Sequence, residues 1–446
     1  MSTSASAAMP TASSHLDCLL LNVHAYLGEC KNATTASSTT RHDQNIEVSL
    51  RLARPPLPSD VFVHCPELGF TVLPRVVRAV EDLLLIRVDI SCQPDYVSSP
   101  NDSDYFIYRA GCGGNKRGTP SLGRLFRPHP FFHDDDVGLL SRGDHYTVAA
   151  LLASGTPDVY ELHILHSQSP SEWIYRKVSV KDPQRAPPLV IPERCNRLLY
   201  HDTTTVIAIG GEGGTMGWVD LWRGILLCDV LRDEPTIRGV PLPFPLDLVG
   251  SNNGLGADPG CPQFLRGIAF IKRGANNAED CLKLVHLEAN ATGLLPDALG
   301  SGSPSFLMHS WAILTYTNNK MTSSWKDWHR DGRVQASAIT IDSQIKSELF
   351  QSGLLLEPSD VAGAGRGLQN LLVSNPAPDI SAAHGDVVYL MAREKFMHPK
   401  AYVLAVDLKN KRLVSASEFG TEREPCAPVM HCPSTISKYM DLETSR

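Results

Sequence analysis

The stretch TTVIAIGGEGGTMGWVDLWRGILLCDVLRDEPTIRGV, residues 204–240, decides the fold class of this chain. Thr204 to Ile209 is short and rich in β-branched residues, which reads as a strand. The glycine run from Gly210 to Gly217 follows. Glycine tolerates positive φ, so several such residues in a row describe a wide turn. Gly217 to Asp229 then reads as one long strand, and a turn and a further strand complete the unit at Val240.

Other parts of the chain have the same grammar. Tyr146 to Val180 reads as three strands, and Val387 to Phe419 repeats the strand, turn, strand pattern. Alternating or continuous apolar runs recur at Ile46–Leu52, Leu83–Val88, Leu265–Ile271, Cys281–Leu287, Ser310–Thr317 and Val334–Ile341. Their joints hold Gly, Pro, Asn and Asp. The 33 Gly and 32 Pro argue for frequent loops, because Pro is costly inside helices and central strands. Ser343 to Leu354 is the one short helix indicated. The units recur at about the 40–50-residue spacing of a propeller blade, without a repeated motif in register. The expected fold is mostly β: a propeller-like assembly of short antiparallel strands with few short helices. A two-domain β assembly is the competing architecture. Residues 1–14 read as a disordered tail, 15–125 as an N-terminal β-rich region, and 126–446 as the core of repeated β-meander units.

Strand alternation in Trp218-Val219-Asp220-Leu221-Trp222 places Trp218, Asp220 and Trp222 on one face and Val219, Leu221 and Arg223 on the other. A buried carboxylate without partners is very costly, so Asp220 is expected to accept backbone or tryptophan N–H bonds. Arg223 is expected to pair with Asp229 or Asp220. On this reading Trp218, Asp220, Trp222, Arg223 and Asp229 hold the domain together. The sharper alternative is a Trp-rich, acid-centred binding surface.

The glycine run does not read as a phosphate loop. The spacing fails at Met216, no Gly-Lys-Ser/Thr follows, Glu212 would repel a phosphate, and the next element is a strand. His129-Pro-Phe-Phe-His133-Asp134-Asp135-Asp136 is the most metal-like cluster, but it reads more simply as a solvated loop with its two Phe tucked inward. His163 and His166 lie three apart in a strand and face opposite ways. Leu57-Pro-Ser-Asp-Val-Phe62 resembles the start of an F-box, yet Pro66 stops the helix an F-box needs. No catalytic set, cofactor site or metal site is assigned.

The net charge of −7 gives the chain no electrostatic reason to seek nucleic acid or an anionic membrane. No run approaches the roughly 18 apolar residues of a membrane span. The 11 Cys are odd in number and widely spaced, with no Cys-x-x-Cys, which fits a reducing compartment. A soluble protein of the cytoplasm or nucleus is expected, a plastid being less favoured. The Asn-x-Ser/Thr sites at Asn32, Asn101 and Asn290 are then incidental.

The block Gly210 to Leu231, with Val240-Pro-Leu-Pro-Phe-Pro245, resembles a plant family called domain of unknown function 1618, which is expanded in grasses. Leu19 to Thr35 resembles its N-terminal opening. Val137-Gly-Leu-Leu-Ser-Arg-Gly143, with Tyr146-Thr-Val-Ala149, resembles the start of its domain, and Ser437-Lys-Tyr439 its close. The resemblance implies an architecture like that of kelch and F-box-associated β proteins, and no catalytic residues to carry over. The expected function is a non-enzymatic interaction or regulatory scaffold with a protein partner. The alternatives are a hydrolase or metal-dependent enzyme in a channel or cleft, and a small-ligand or carbohydrate-binding propeller. The burial of Trp218, Trp222, Trp311, Trp325 and Trp328 discriminates among them.

Overall fold

A computed structural model describes residues 17–70, 72–90, 102–113, 116–125, 132–156, 158–181, 201–243, 262–273, 279–294, 305–357, 365–381, 386–394, 398, 400–420 and 431–440. The described strands form seven sheets, one of them eight-stranded, and group into six blades arranged around an axis. Blade 1 holds β1 (Leu19–Asn22), β2 (Tyr26–Leu27), β3 (Ala36–Thr39), β4 (Asn45–Arg51) and β5 (Asp60–His64). Blade 2 holds β6 (Arg75–Val80), β7 (Leu83–Asp89), β8 (Ser103–Arg109) and β11 (Ser121–Leu125); β9 (Cys112–Gly113) and β10 (Lys116–Arg117) make a small ribbon beside it. Blade 3 is β12 (Val137–Arg142), β13 (His145–Ala153), β14 (Val159–His166) and β15 (Trp173–Lys181).

Blade 4 is β16 (Thr205–Gly210), β17 (Thr215–Asp220), β18 (Gly224–Asp229) and β19 (Ile237–Pro241). Blade 5 is β20 (Arg266–Ile271), β21 (Cys281–Leu294), β22 (Ser305–Asn318) and β23 (His329–Gln335). Blade 6 joins β24 (Thr340–Ile341) to β25 (Leu372–Pro378), β26 (Val387–Arg393), β27 (Lys400–Asp407) and β28 (Arg412–Gly420), and the helix α1 (Ser343–Gln351) lies in the link from blade 5. The helix starts where the Asp342 side chain caps the Gln344 N–H. Ser343–Leu354 therefore supplies the helix its sequence indicated.

The ring closes through the chain's two ends. The last strand, β29 (His431–Ser434), pairs antiparallel with β1, from Leu19↔Ser434 to Asn22↔His431. β1 joins the rest of blade 1 through a parallel bridge, Leu21↔Ser59. The innermost strands pack in succession around the axis: β6 on β12, β12 on β16, β16 on β20, β20 on β25, β25 on β29, and β29 back on β6. The protein is a propeller-like β structure, with six blades among the described residues. Residues 19–125 supply most of blade 1 and all of blade 2, and β29 ties blade 1 to the far end of the chain.

Six apolar layers fill the six gaps between blades, and period-2 alternation explains how. Each sheet is buried on both faces, so successive residues go to different layers. In β7, Leu84 and Ile86 pack toward blade 1, while Leu83 and Leu85 pack toward blade 3. In β17, Met216 and Trp218 fill the layer between blades 3 and 4; Val219, with Leu221 of the following turn, enters the layer between blades 4 and 5. Each such side chain contributes about 1.5–3 kcal/mol on burial. Blades approach closely at β20 and β25, where a methyl group on Gly267 would overlap the Pro376 carbonyl oxygen. Blades 3 and 4 also meet at their outer edge, where β15 runs parallel to β19 for two residues, Val180↔Ile237 and Lys181↔Arg238.

Candidate functional site

The stretch Gly217–Asp229 is not one strand. β17 ends at Asp220, Leu221–Arg223 turn, and β18 returns alongside, pairing Trp218↔Leu226 and Asp220↔Gly224. The turn carries no Gly, Pro or Asn in its bend, and the Asp220 side chain forms it. Its Oδ1 accepts from the Trp222 N–H at 2.8 Å and the Arg223 N–H at 3.1 Å. Its Oδ2 accepts from the Asp202 N–H at 3.0 Å and from the Arg223 guanidinium. Asp220 is fully buried, so four charge-assisted bonds replace water around one carboxylate. Of the two partners expected for Arg223, the structure selects Asp220. Asp229 instead accepts from the Thr215 hydroxyl at 2.6 Å and from Arg232 at 3.0 Å.

The two tryptophans serve different layers. Trp218 is fully buried and donates its indole N–H to the Asp136 carbonyl at 2.7 Å, crossing from blade 4 to blade 3. Trp222 is also buried, and the Arg266 guanidinium of blade 5 lies 5.1 Å from its ring centre. Arg266 also donates to the Leu221 carbonyl at 2.6 Å. Burial pulls the Arg266 guanidinium down to about 9, with Asp220 opposing. The structure thus brings Trp218, Asp220, Trp222 and Arg223 together as a joint between three blades. The glycine run before them is a turn with positive φ at Gly210, Gly211 and Gly214, and it opens no helix.

Part of the histidine–aspartate cluster lies outside the described residues, namely His129, Pro130 and Phe131. The rest differs from a solvated loop. Phe132 is buried as expected, but so is Asp134, which accepts from the Tyr105 hydroxyl at 2.9 Å and lies 3.1 Å from Arg87. Burial pushes the Asp136 carboxyl up to about 6, partly opposed by His133. Three consecutive acids looked solvated, but the loop descends to the axis to start β12. Among the described residues, no group of three or more His, Cys, Asp or Glu is placed to hold a metal ion. Asp60–His64 forms β5, a strand where an F-box would have a helix.

Trp218, Trp222, Trp311 and Trp328 are buried, whereas Trp325 is 56% exposed. None of these five lines the cavity on the axis. That cavity, about 530 Å³, is walled by the innermost strands, and its polar lining includes Arg75, Arg78, Gln263 and His431. The sequence offered no signal for these residues: Arg75 and Arg78 share β6, Gln263 and His431 come from distant parts of the chain, and together they form no motif.

Trp325 stands in a loop that is fixed in place. The Asn318 side chain accepts from the N–H groups of Lys320 and Met321 at 3.1 and 2.8 Å. Arg238 donates to the Met321 carbonyl at 2.8 Å, the Thr322 hydroxyl bonds Asp327, and Ser324 caps the short 3₁₀ turn Trp325–Asp327. Trp328 closes the loop by donating to the Pro241 carbonyl at 2.7 Å.

Residues 218–389 match the family model described as "Protein of unknown function (DUF1618)". No curated protein matches the chain. Among solved structures it is similar to an alpha-L-arabinanase of Penicillium chrysogenum complexed with arabinobiose, at 10% identity, with 78% of this chain and 93% of that one covered and a TM-score of 0.27. It is also similar to the S. cerevisiae core factor, at 8% identity, with 94% of this chain and 64% of that one covered and a TM-score of 0.27.

Proposed function

We propose that this propeller is a non-enzymatic scaffold that recognises a protein partner, with Trp325 as the anchor. The observation that carries the reading is a large aromatic side chain, 56% exposed, on a loop pinned by backbone and side-chain hydrogen bonds. Exposed tryptophans on rigid supports are the residue type most enriched at binding hot spots, because little entropy is lost when they are covered. Lys320 and Lys326 flank it, and Lys326 lies 6.0 Å from the ring centre. The matching partner surface is an apolar pocket rimmed by carboxylates. The free cysteines Cys18, Cys30, Cys65, Cys228, Cys281 and Cys432 suit a reducing cytoplasm or nucleus. Support also comes from the Trp218–Arg223 block, whose polar groups are occupied in joining blades.

The test is affinity purification from plant tissue with wild type and Trp325→Ala in parallel, each checked by thermal melting. Unchanged melting is expected, with at least one partner weakened by about 2 kcal/mol or more, the usual size of a hot spot. An identical partner set for the two proteins would refute the reading.

A further inference from the structure

The cavity on the axis has a charge pattern that the scaffold reading does not use. Its lining carries six cationic side chains, Arg75, Arg78, Arg142, Arg266, Lys272 and Lys438. Only two lining residues are acidic: Glu81, which is tied to Lys272 at 2.8 Å, and Asp135. This excess of positive charge lies inside a chain whose net charge is −7. A narrow wall of one sign in a low-dielectric surround focuses potential on whatever enters.

Two of the cations are placed by a defect in β6. Arg75 and Arg78 are three residues apart, which in a regular strand puts them on opposite faces. The pairing of β6 with β7 slips between Val76 and Arg78, so that Arg75 faces Arg87 and Arg78 faces Leu85. The extra residue turns both arginines to the same side, the usual effect of a β-bulge. Both are near the Cys432 thiol on β29, where they oppose its upward shift by burial.

Neither arginine is fully satisfied. Arg78 donates to the carbonyls of Val77 and Asp135, and its Nε has no hydrogen-bond partner among the described residues. The Arg75 Nε also has none. The nearest carboxylate to Arg75, Asp134, is 3.8 Å away and already engaged by Arg87 and Tyr105. On the neighbouring inner strand, His431 is 4% exposed and lines the same cavity. Neither of its ring nitrogens has a partner among the described residues. Buried polar atoms left open in this way are costly, and the Arg75 side chain as a whole stays 27% exposed.

We propose that the axial cavity is a binding site for a small phosphorylated molecule, held by the guanidinium groups of Arg75 and Arg78 on β6 together with His431 on β29. A phosphate presents several acceptor oxygens to two planar forks and separates two like charges that face one another. The volume, about 530 Å³, falls within the roughly 300–1,000 Å³ of small-molecule sites. Asp135 also lines the cavity. Burial and neighbouring acids push its carboxyl upward against the pull of Arg75 and Arg78. The proposal does not depend on Trp325.

The experiment is calorimetric titration of the full chain with sodium pyrophosphate at physiological salt. Saturable binding to one site per chain, with a dissociation constant below about 1 mM, is expected. Arg75→Lys and Arg78→Lys keep the charge and lose the fork, so each should weaken binding by roughly tenfold or more. Lys177→Gln, an exposed change on β15 at the outer edge of blade 3, should leave binding untouched. Absence of saturation up to about 10 mM, or unchanged affinity in both arginine variants, would overturn the proposal. Citrate saturating the site where pyrophosphate does not would overturn its phosphate assignment. Should either arginine variant fail to fold, hydrogen exchange on the wild type decides the matter. Pyrophosphate should then protect amides of Arg75–Val80 and His431–Ser434, and no change there would refute the site.

Discussion

Replacing Asp220 tests whether the Trp218–Arg223 block is a joint or a binding surface. In Asp220→Ala, three backbone N–H groups and the Arg223 guanidinium lose their acceptor at once, at a position with no solvent exposure. Each charge-assisted bond contributes about 1.5–3 kcal/mol, but the four are not additive because neighbouring groups relax together. Removing one partner of a buried ion pair sets a better scale, about 3–5 kcal/mol. That is a large part of a typical total stability of about 5–15 kcal/mol. Asp220→Asn keeps one oxygen for the Trp222 and Arg223 N–H groups but turns an NH₂ toward the Asp202 N–H and Arg223. Its cost should be smaller, about 2–3 kcal/mol, the range of one or two unsatisfied buried groups. Urea unfolding followed by tryptophan fluorescence measures both changes. A loss below about 1 kcal/mol in Asp220→Ala, combined with loss of a single ligand, would refute the structural reading and make this block a binding site.

Two further outcomes follow from burial and close packing. Burial holds the His431 imidazole down at about 4, well under its ordinary value near 6.5, so the unfolded chain takes up a proton there that the folded chain does not. Stability from this group is complete above about pH 6.5 and falls toward pH 4, by roughly 3 kcal/mol in all. His24 behaves alike through burial and the Arg75 charge, while Asp136 opposes both, so the clean measurement is a difference: His431→Gln should flatten the fall in urea midpoint between pH 7 and pH 4.5 by about one proton, and a parallel profile would contradict the assignment. Gly267→Ala places a methyl group into the Pro376 carbonyl. The blades must separate there, so melting should drop sharply, by an overpacking cost of about 1–3 kcal/mol or more, and an unchanged melting temperature would show that the gap is looser than described.

What the sequence made legible was local. Leu83–Val88 read correctly because each residue reports its own burial, and an inner strand buried on both faces is apolar throughout; Tyr146–Val180 read correctly as three strands although β15, at the blade's outer edge, is largely exposed. Non-local features were hidden. The β1–β29 pairing joins residues more than 400 positions apart through short strands with no turn signal between them. The number of blades follows from that closure, and no repeated motif counts them. The turn at Leu221–Arg223 escaped because Asp220, in line with the alternation, looked like a strand residue and not the acceptor that bends the chain. Arg75 and Arg78 escaped for the opposite reason: strand periodicity assigns them to different faces, and only the slip in pairing unites them. The burial of Asp134 depends on Tyr105 and Arg87, which come from two other strands.

The most conspicuous block in this sequence is therefore conspicuous for a structural reason. Trp218 reaches back to blade 3, Arg266 of blade 5 reaches to Leu221 and Trp222, and Asp220 holds the turn from which both contacts are made. A blade buries two faces only when both neighbours are present, so a fault at this joint loosens two apolar layers together. Residues under that constraint cannot vary independently to suit a ligand. The Trp325 loop and the bulged stretch of β6 differ in kind. The Trp325 side chain belongs to none of the apolar layers among the described residues, and Arg75 and Arg78 line a cavity that the layers do not fill. If both proposed sites bind as argued, Trp325→Ala and Arg78→Lys should each remove one binding event and leave the other and the fold intact.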